Sequence, residues 1–419
     1  MLSAAREWYL FLDLLPPTVD VGDYATAAEL LDALTATARA QNRDRFFSHV
    51  TTPQADSSFL QEGQFIGFGF RTLIDGSQLQ VPDAYEGSPA AEGGLVRGAE
   101  ITHVDSGSGY VPIATILQTD PELAEAFGPA TEGVVRGLRF VLAGGQQVEA
   151  EITKRVVTIP PVPSAGTAIL SLPSNPSVPV GYLNLRTFIS TAETPLRTAY
   201  AQFRAQGIEY FIVDLRYNGG GLVSIAELIG DLNGADRAPA DVFSNLRFNA
   251  NKPGNDTERR FVEQPQSVLP VRIAFITTGG TASASELVVN SMKPWTEVAI
   301  VGSDTFGKPV GQSAFDLDGC DLRLRLVTFR VTNADEQGDY YDGLATTLPF
   351  ACAAADDLTR APWDPLETST AAALEWLQTG VCGQVLSGPL PPLLKAQAGW
   401  RPPQSQRPTP AQAHLPGLF

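Results

Sequence analysis

The sequence predicts an α/β fold, with a β-rich unit ahead of the core and a helical segment ahead of both. Three observations carry this. Ile208–Arg216 and Val271–Thr277 are apolar, β-branched runs of strand length, and each turns through glycines into a stretch with helical apolar spacing. Between residue 64 and about 158, short alternating runs are separated by glycine turns, the pattern of a small sheet. Residues 1 to about 60 place Ala, Leu and aromatic residues at helical spacing.

A chain of 419 residues with 43% hydrophobic and 18% charged content has enough apolar surface to bury two or three cores. Its net charge of −17 argues against nucleic acid and anionic membrane surfaces, which both select basic patches. No apolar run reaches the length of a transmembrane helix. Leu2–Pro16 carries Arg6, Glu7 and Asp13 and does not read as a secretory leader, so the chain reads as a mature or trimmed form. Cys320, Cys352 and Cys382 are too few and too scattered for a zinc site. Either one disulfide, with Cys352–Cys382 the favoured pair, or three buried thiols fits them.

In chain order, Ala4–Leu15 and Thr26–Ala40 read as helices of a packing segment spanning 1–60, and nothing in that segment suggests chemistry. In 64–158, Ile101–Asp105 reads as a strand, and Arg139–Leu142 with Val148–Lys154 as a hairpin around Gly144-Gly145. Glu86–Gly98, with its Gly-Ser-Pro-Ala-Ala…Gly-Leu…Gly pattern, resembles the PDZ domains. That resemblance implies a groove that adds an extended peptide as a strand and holds its end on the loop Gly67, Phe68, Gly69 and Phe70. The plainer reading is that Gly67 and Gly69 only permit a tight turn. Pro160–Pro163 reads as a linker.

The core, 165–387, opens with the strand Val180–Leu185, followed by a helix over 195–206. Asn218 and Gly219–Gly221 then turn Ile208–Arg216 into a helix over 222–232. Residues 238–268 are polar and read as an insertion or surface loop. Val271–Thr277, a Gly279-Gly280 turn, a helix over 284–293 and a strand over 297–302 come next. Ser283 thus stands where a strand turns into a helix, beside amides left free by the first helical turn. Lys308 follows in the turn Thr305-Phe306-Gly307-Lys308. Parallel neighbouring strands would bring both loops to one sheet edge. A lysine acts as a general base only when neutral, and burial lowers its pKa toward that state. Gln312, four residues on, is placed to orient the amine without adding charge. Leu322–Val331 reads as a long alternating strand and Thr368–Leu377 as a helix. The Pro-rich tail 388–419 reads as extended or disordered.

Gly280-Thr281-Ala282-Ser283-Ala284-Ser285-Glu286, the Thr-Phe-Gly-Lys turn and Gln312 resemble the catalytic motifs of the C-terminal processing (tail-specific) peptidases. Asp214-Leu215-Arg216, Asn218, Gly220 and Gly221 match a further motif of that family. The chain departs from many members at Pro309-Val310-Gly311. The resemblance implies a core like those of the crotonases and the Clp peptidase. It implies a serine endopeptidase with Ser283 as nucleophile, Lys308 as base, Gln312 as third member and the Gly220 and Ala284 amides as oxyanion hole. No metal or cofactor is implied. The substrates would be unfolded proteins or peptides engaged near their C-termini, with room for an adaptor or a homo-oligomer. The location would be periplasmic or cell-envelope.

Plainer readings exist for each part. A Ser-Ala-Ser at a helix start is commonly an N-cap. Gly302–Lys308 fits the start of a phosphate loop, but Pro309 follows where Ser or Thr is needed. His49, His103 and His414 lie in no motif, which weighs against a Ser-His-Asp site. The rival functions are a catalytically silent peptide- or ligand-binding relative and an acyl-CoA hydratase or thioesterase on a similar core.

Overall fold

The computed structural model describes residues 1–387, 400–403, 408–415 and 417–419. The fold is mixed α/β with four sheets. The N-terminal segment holds α1 (Leu2–Trp8), α2 (Ala27–Ala40), β1 (His49–Thr51) and α3 (Pro53–Glu62). The first helix is shorter than its apolar pattern predicts. Past Trp8 the backbone leaves the helix, and the Leu10 amide donates to the Val327 carbonyl at 2.9 Å. A tertiary hydrogen bond overrides local propensity there. β1 pairs with a core strand, so this segment is built into the core.

The next unit comprises β2 (Gln64–Gly67), β3 (Phe70–Asp75), β4 (Gln78–Ala84), α4 (Pro89–Glu92), β5 (Glu100–Asp105), β6 (Tyr110–Pro112), α5 (Ile113–Thr119), α6 (Ala124–Phe127), β7 (Val135–Val141), β8 (Gln147–Thr153) and β9 (Arg155–Thr158). An antiparallel sheet runs β3-β4-β5-β7-β8, and β6 adds to β5. Its interior is apolar and includes Phe68, Phe70, Leu79, Val81, Ile101, Phe127 and Phe140. The hairpin predicted around Gly144-Gly145 is β7–β8.

The core follows with β10 (Thr167–Leu172), β11 (Asn175–Asn184), α7 (Glu193–Ala205), β12 (Tyr210–Asp214), α8 (Val223–Leu232), β13 (Val242–Phe248), β14 (Thr257–Arg260), β15 (Arg272–Thr277), α9 (Ala284–Met292), β16 (Glu297–Gly302), β17 (Val310–Leu317), β18 (Leu322–Thr332), β19 (Ala351–Ala353) and α10 (Thr368–Thr379). The central sheet has the order β10-β11-β12-β15-β16-β19, parallel from β11 onward. Its strands are apolar on both faces because helices cover both. Phe211, Val213, Ile273 and Phe275 meet α7, α8 and α9. Ile212, Ala274, Ile276 and Ala299 meet Leu374 and Trp376 of α10. A disulfide joins Cys352 on β19 to Cys382 beyond α10, and Cys320 is a free, exposed thiol.

Residues 238–268 are not a surface loop. They form β13 and β14, which extend an antiparallel sheet on β18, with β1 and β17 also paired to β18. The segment looked polar because Ser244 and Asn245 are buried in the strand, and Asn245 donates to the Asn333 carbonyl at 3.0 Å. In the tail, 388–399, 404–407 and 416 lie outside the described residues. Of the rest, Pro410–His414 forms a short helix, α11, and Gly417–Phe419 runs beside β3.

Ile212, fully buried at the centre of the parallel sheet, gives a direct test of this core. Ile212→Ala is expected to cost about 2–5 kcal/mol, read as a lowered midpoint in urea unfolding followed by circular dichroism.

Candidate active site

Two parallel strands set the site. β15 and β16 pair with Thr277 opposite Gly302, so the loops that follow them leave the same edge of the sheet. The first loop carries Ser283 at the N-cap of α9, with φ 58° and ψ −115°. A non-glycine residue held at positive φ costs about 1–3 kcal/mol and persists only where its surroundings fix it. The surroundings here are the 218–220 loop. The Ala282 amide donates to the Asn218 carbonyl at 3.0 Å and the Ser285 hydroxyl to the same carbonyl at 2.9 Å. Any side chain on Gly220 would run into Ser283 Cβ, at 2.8 Å. That contact explains the glycine.

The second loop carries Lys308. Glu286, on the first turn of α9, clamps the two loops together. Its carboxylate accepts from the Ser283 amide at 2.9 Å, the Thr305 hydroxyl at 2.6 Å, the Gly307 amide at 2.7 Å and the Lys308 amide at 2.8 Å. Glu286 is fully buried, and burial pushes its pKa up to about 6 despite these donors. The Phe306 amide adds a bond to the Thr281 carbonyl at 2.9 Å.

The Lys308 amine is buried, and burial lowers its pKa to about 8; Asp44 and Glu286 oppose that shift. Its cover comes from the N-terminal segment. The Phe47 ring centroid lies 5.1 Å from Nζ. Arg45 reaches across to the Phe306 carbonyl at 2.7 Å and the Gly307 carbonyl at 2.6 Å. Gln312 sits at a register shift between β17 and β18, a bulge that re-aims its side chain. Its Nε2 donates to the Phe47 carbonyl, which leaves Oε1 facing the amine at 3.5 Å, the outer limit of a hydrogen bond. Among the described residues the amine's hydrogen-bond partner is Gln312, not Ser283. Lys308 and Gln312 line a cavity of about 340 Å³ together with Phe47, His49, Gly219 and Ala282.

The Gly220 amide does not face this cavity. It donates to Asn218 Oδ1 at 2.9 Å, and Asn218 Nδ2 donates to the Leu185 carbonyl at 2.8 Å. The amide one residue earlier, Gly219, lines the cavity and donates to the His414 carbonyl at 3.0 Å. The spacing Asn-x-Gly was legible; which glycine amide the Asn side chain would take was not. Ala284 starts α9, where its amide has no partner within the helix. Gly67, Phe68, Gly69 and Phe70 lie on the other unit. Phe68 and Phe70 are fully buried, and the Gly69 and Phe70 amides both point at the Phe419 carbonyl, at 2.8 and 3.3 Å. Arg45, Phe47 and Glu286 are contributors that the sequence reading assigned no role. Only the Glu286 carboxylate, in a capping position three residues after Ser283, carried a signal.

Residues 179–344 match peptidase family S41. The resemblance read from the motifs therefore holds. The chain is similar to the carboxyl-terminal-processing protease of Synechocystis, 28% identical over 64% of this chain and 58% of that protein. It is also similar to the chloroplastic carboxyl-terminal-processing peptidase 2 of Arabidopsis thaliana, 27% identical over 66% of this chain and 52% of that one. The chain thus spans little more than half the length of these relatives. Its fold is that of a Bacteroides fragilis protein described as an S41 protease, with TM-score 0.71, 22% identity, and coverage of 90% of this chain and 97% of that one. The photosystem II D1 C-terminal processing protease aligns with TM-score 0.50 and 18% identity over 83% of this chain and 90% of that one.

The Glu286 clamp makes a specific prediction. Glu286→Gln replaces an acceptor oxygen with an amide donor that faces N–H groups. Labelling of Ser283 by a fluorophosphonate is expected to slow by about 10²-fold, the scale of a misplaced reacting group. Mass spectrometry of the labelled peptide measures it.

Proposed function

We propose that this protein is a serine endopeptidase that acts on unfolded proteins or peptides. The observation that carries this reading is a buried lysine amine on a loop clamped, through one carboxylate, to a strained serine at a helix start. In this reading Ser283 Oγ attacks the scissile carbonyl. Neutral Lys308 takes its proton and returns it to the leaving amine, and Gln312, fixed by Phe47, orients Lys308. The Ala284 amide and the Gly219 amide stabilise the oxyanion; Gly219 replaces Gly220 in that role because Asn218 takes the Gly220 N–H. The 3.5 Å spacing of Lys308 and Gln312 tightens once substrate is bound. No metal or cofactor takes part in these steps.

We read residues 64–158 as PDZ-like and 165–387 as a crotonase- or Clp-peptidase-like core. The PDZ-like unit would take the end of a substrate on Gly67–Phe70, where the Gly69 and Phe70 amides already hold the main-chain oxygen of Phe419. The names of the Synechocystis and Arabidopsis relatives support processing near a substrate's C-terminus. No helix among the described residues is long and apolar enough to cross a membrane, and we place the protein in the periplasm or cell envelope. One observation favours a second reading, a peptide-holding relative without turnover: residues of the chain's own tail line the cavity, and the His414 carbonyl already takes the Gly219 amide.

Cleavage of an unfolded protein by wild type and Lys308→Ala separates the two. Wild type is expected to cleave and Lys308→Ala to lose activity by at least about 10²-fold. Equal rates would remove Lys308 as base, and an unlabelled Ser283 in wild type would favour the binding-only reading. Since the amine works only when neutral, kcat/KM is expected to rise with pH through a midpoint of about 8 and level off above it. Lys308→Arg, charged throughout that range, is expected to show no such limb.

A further inference from the structure

Residues of the 408–415 stretch line the cavity beside Lys308, and Gly417–Phe419 cover the edge of β3. Thr409 caps α11 through a reciprocal pair of bonds with Gln412. Gln412, Ala413 and His414 line the Lys308 cavity. The His414 ring stacks on Phe59 at 5.3 Å, and Leu415 is fully buried in the cluster around Phe59 and Ile189. The chain then runs antiparallel to β3. The Thr72 amide donates to the Gly417 carbonyl at 2.9 Å, the Gly69 amide to Phe419 at 2.8 Å, and the Phe419 amide to Phe70 at 3.0 Å. The Phe419 ring packs 4.5 Å from the ring of Phe127. Arg401 completes the edge, exchanging bonds of 2.7 and 3.0 Å with Ile74.

Two groups that a substrate would use are therefore already engaged. The Gly219 amide holds a peptide carbonyl, the same chemical group that a scissile bond would present. The β3 edge, where an extended peptide would add, is already paired. We propose that residues 408–419 are a resident blocking segment, which holds the site closed until a competing peptide draws it off β3. What is blocked rests on the peptidase reading; that the segment docks does not. A segment tethered to the same chain competes at an effective concentration on the order of millimolar. A free peptide making the same contacts has to approach that range to displace half of it.

Gly417 offers a clean way to expel the segment. Its φ is +77°, and a Cβ there would stand 2.5 Å from the Thr72 carbonyl oxygen. The test uses the full chain as wild type, Gly417→Val and Leu418→Asp. The probe is a fluorescein-labelled peptide of residues 408–419, followed by anisotropy. Both variants are expected to bind the peptide at least about tenfold more tightly than wild type. Deuterium exchange at the Gly69, Phe70 and Thr72 amides is expected to quicken, while that of β12 and β15 stays slow and shows that the core is folded. Equal peptide binding by wild type and both variants, or β3 amides equally protected in all three, would overturn the proposal. Fluorophosphonate labelling of Ser283 is expected to quicken in the variants. Labelling of none of them, with the peptide and exchange results as expected, would leave the docked segment standing and remove only the peptidase reading.

Discussion

The Glu286 carboxylate is taken wholly out of water and repaid by four donors, three amides and one hydroxyl. An ionised carboxylate in such a place is tolerable only while every one of those donors stays aimed at it. That requirement fixes the relative position of two loops joined by neither helix nor sheet pairing. The Ser283 turn and the Lys308 turn are therefore one rigid object. Parallel pairing of β15 with β16 brings the loops to one edge; the carboxylate sets them against each other.

In the proposed peptidase, rigidity alone would not make a base of Lys308: the amine must also lose water. The Phe47 ring covers it, and the strand that follows, β1, ties that segment to β18. Arg45 pulls the Lys308 turn toward the same segment through two carbonyls, and the Phe47 carbonyl holds Gln312. The first sixty residues are thus part of the site's electrostatics. They keep the amine in a low-dielectric pocket, where its pKa falls because the charged form is the one that loses solvation.

The sequence was most legible where period and chemistry agree. The strand over 297–302 and the helix starting at Ala284 stand where apolar spacing put them, because both are buried on a regular pattern. Ser283, Lys308 and Gln312 were read from their places at element ends and from their resemblance to the peptidase motifs; the structure puts Ser283 and Lys308 on two loops at one sheet edge, with Gln312 on β17. Reading failed where polar residues are buried with partners far off in sequence. Ser244 and Asn245 disguised β13 as a loop, and the acceptor for the Asn245 amide, the Asn333 carbonyl, lies almost ninety residues on. The roles of Arg45 and Phe47 depend on contacts more than two hundred and fifty residues away. Which glycine amide is left toward the cavity turns on one side-chain rotamer: Asn218 takes the Gly220 N–H, and Gly219, which the sequence reading did not single out, lines the cavity instead. The tail read as extended or disordered because Pro breaks helix and strand alike; its last residues run extended along the edge of β3, and an edge is a template for whatever chain reaches it.

The account stands on Lys308 losing its proton far more readily in the folded protein than an ordinary lysine does. The chain has few lysines, Lys154, Lys252, Lys293, Lys308 and Lys395, so each amine can be followed separately by NMR after ¹³C labelling of lysine, with Lys308→Met assigning the signal. A Lys308 resonance that titrates at about 8, well below the ordinary lysine value of about 10.4, is the expected result. A Lys308 amine that titrates at about 10.4 would contradict the account, since the amine would then stay charged through the pH range in which the proposed base has to be neutral.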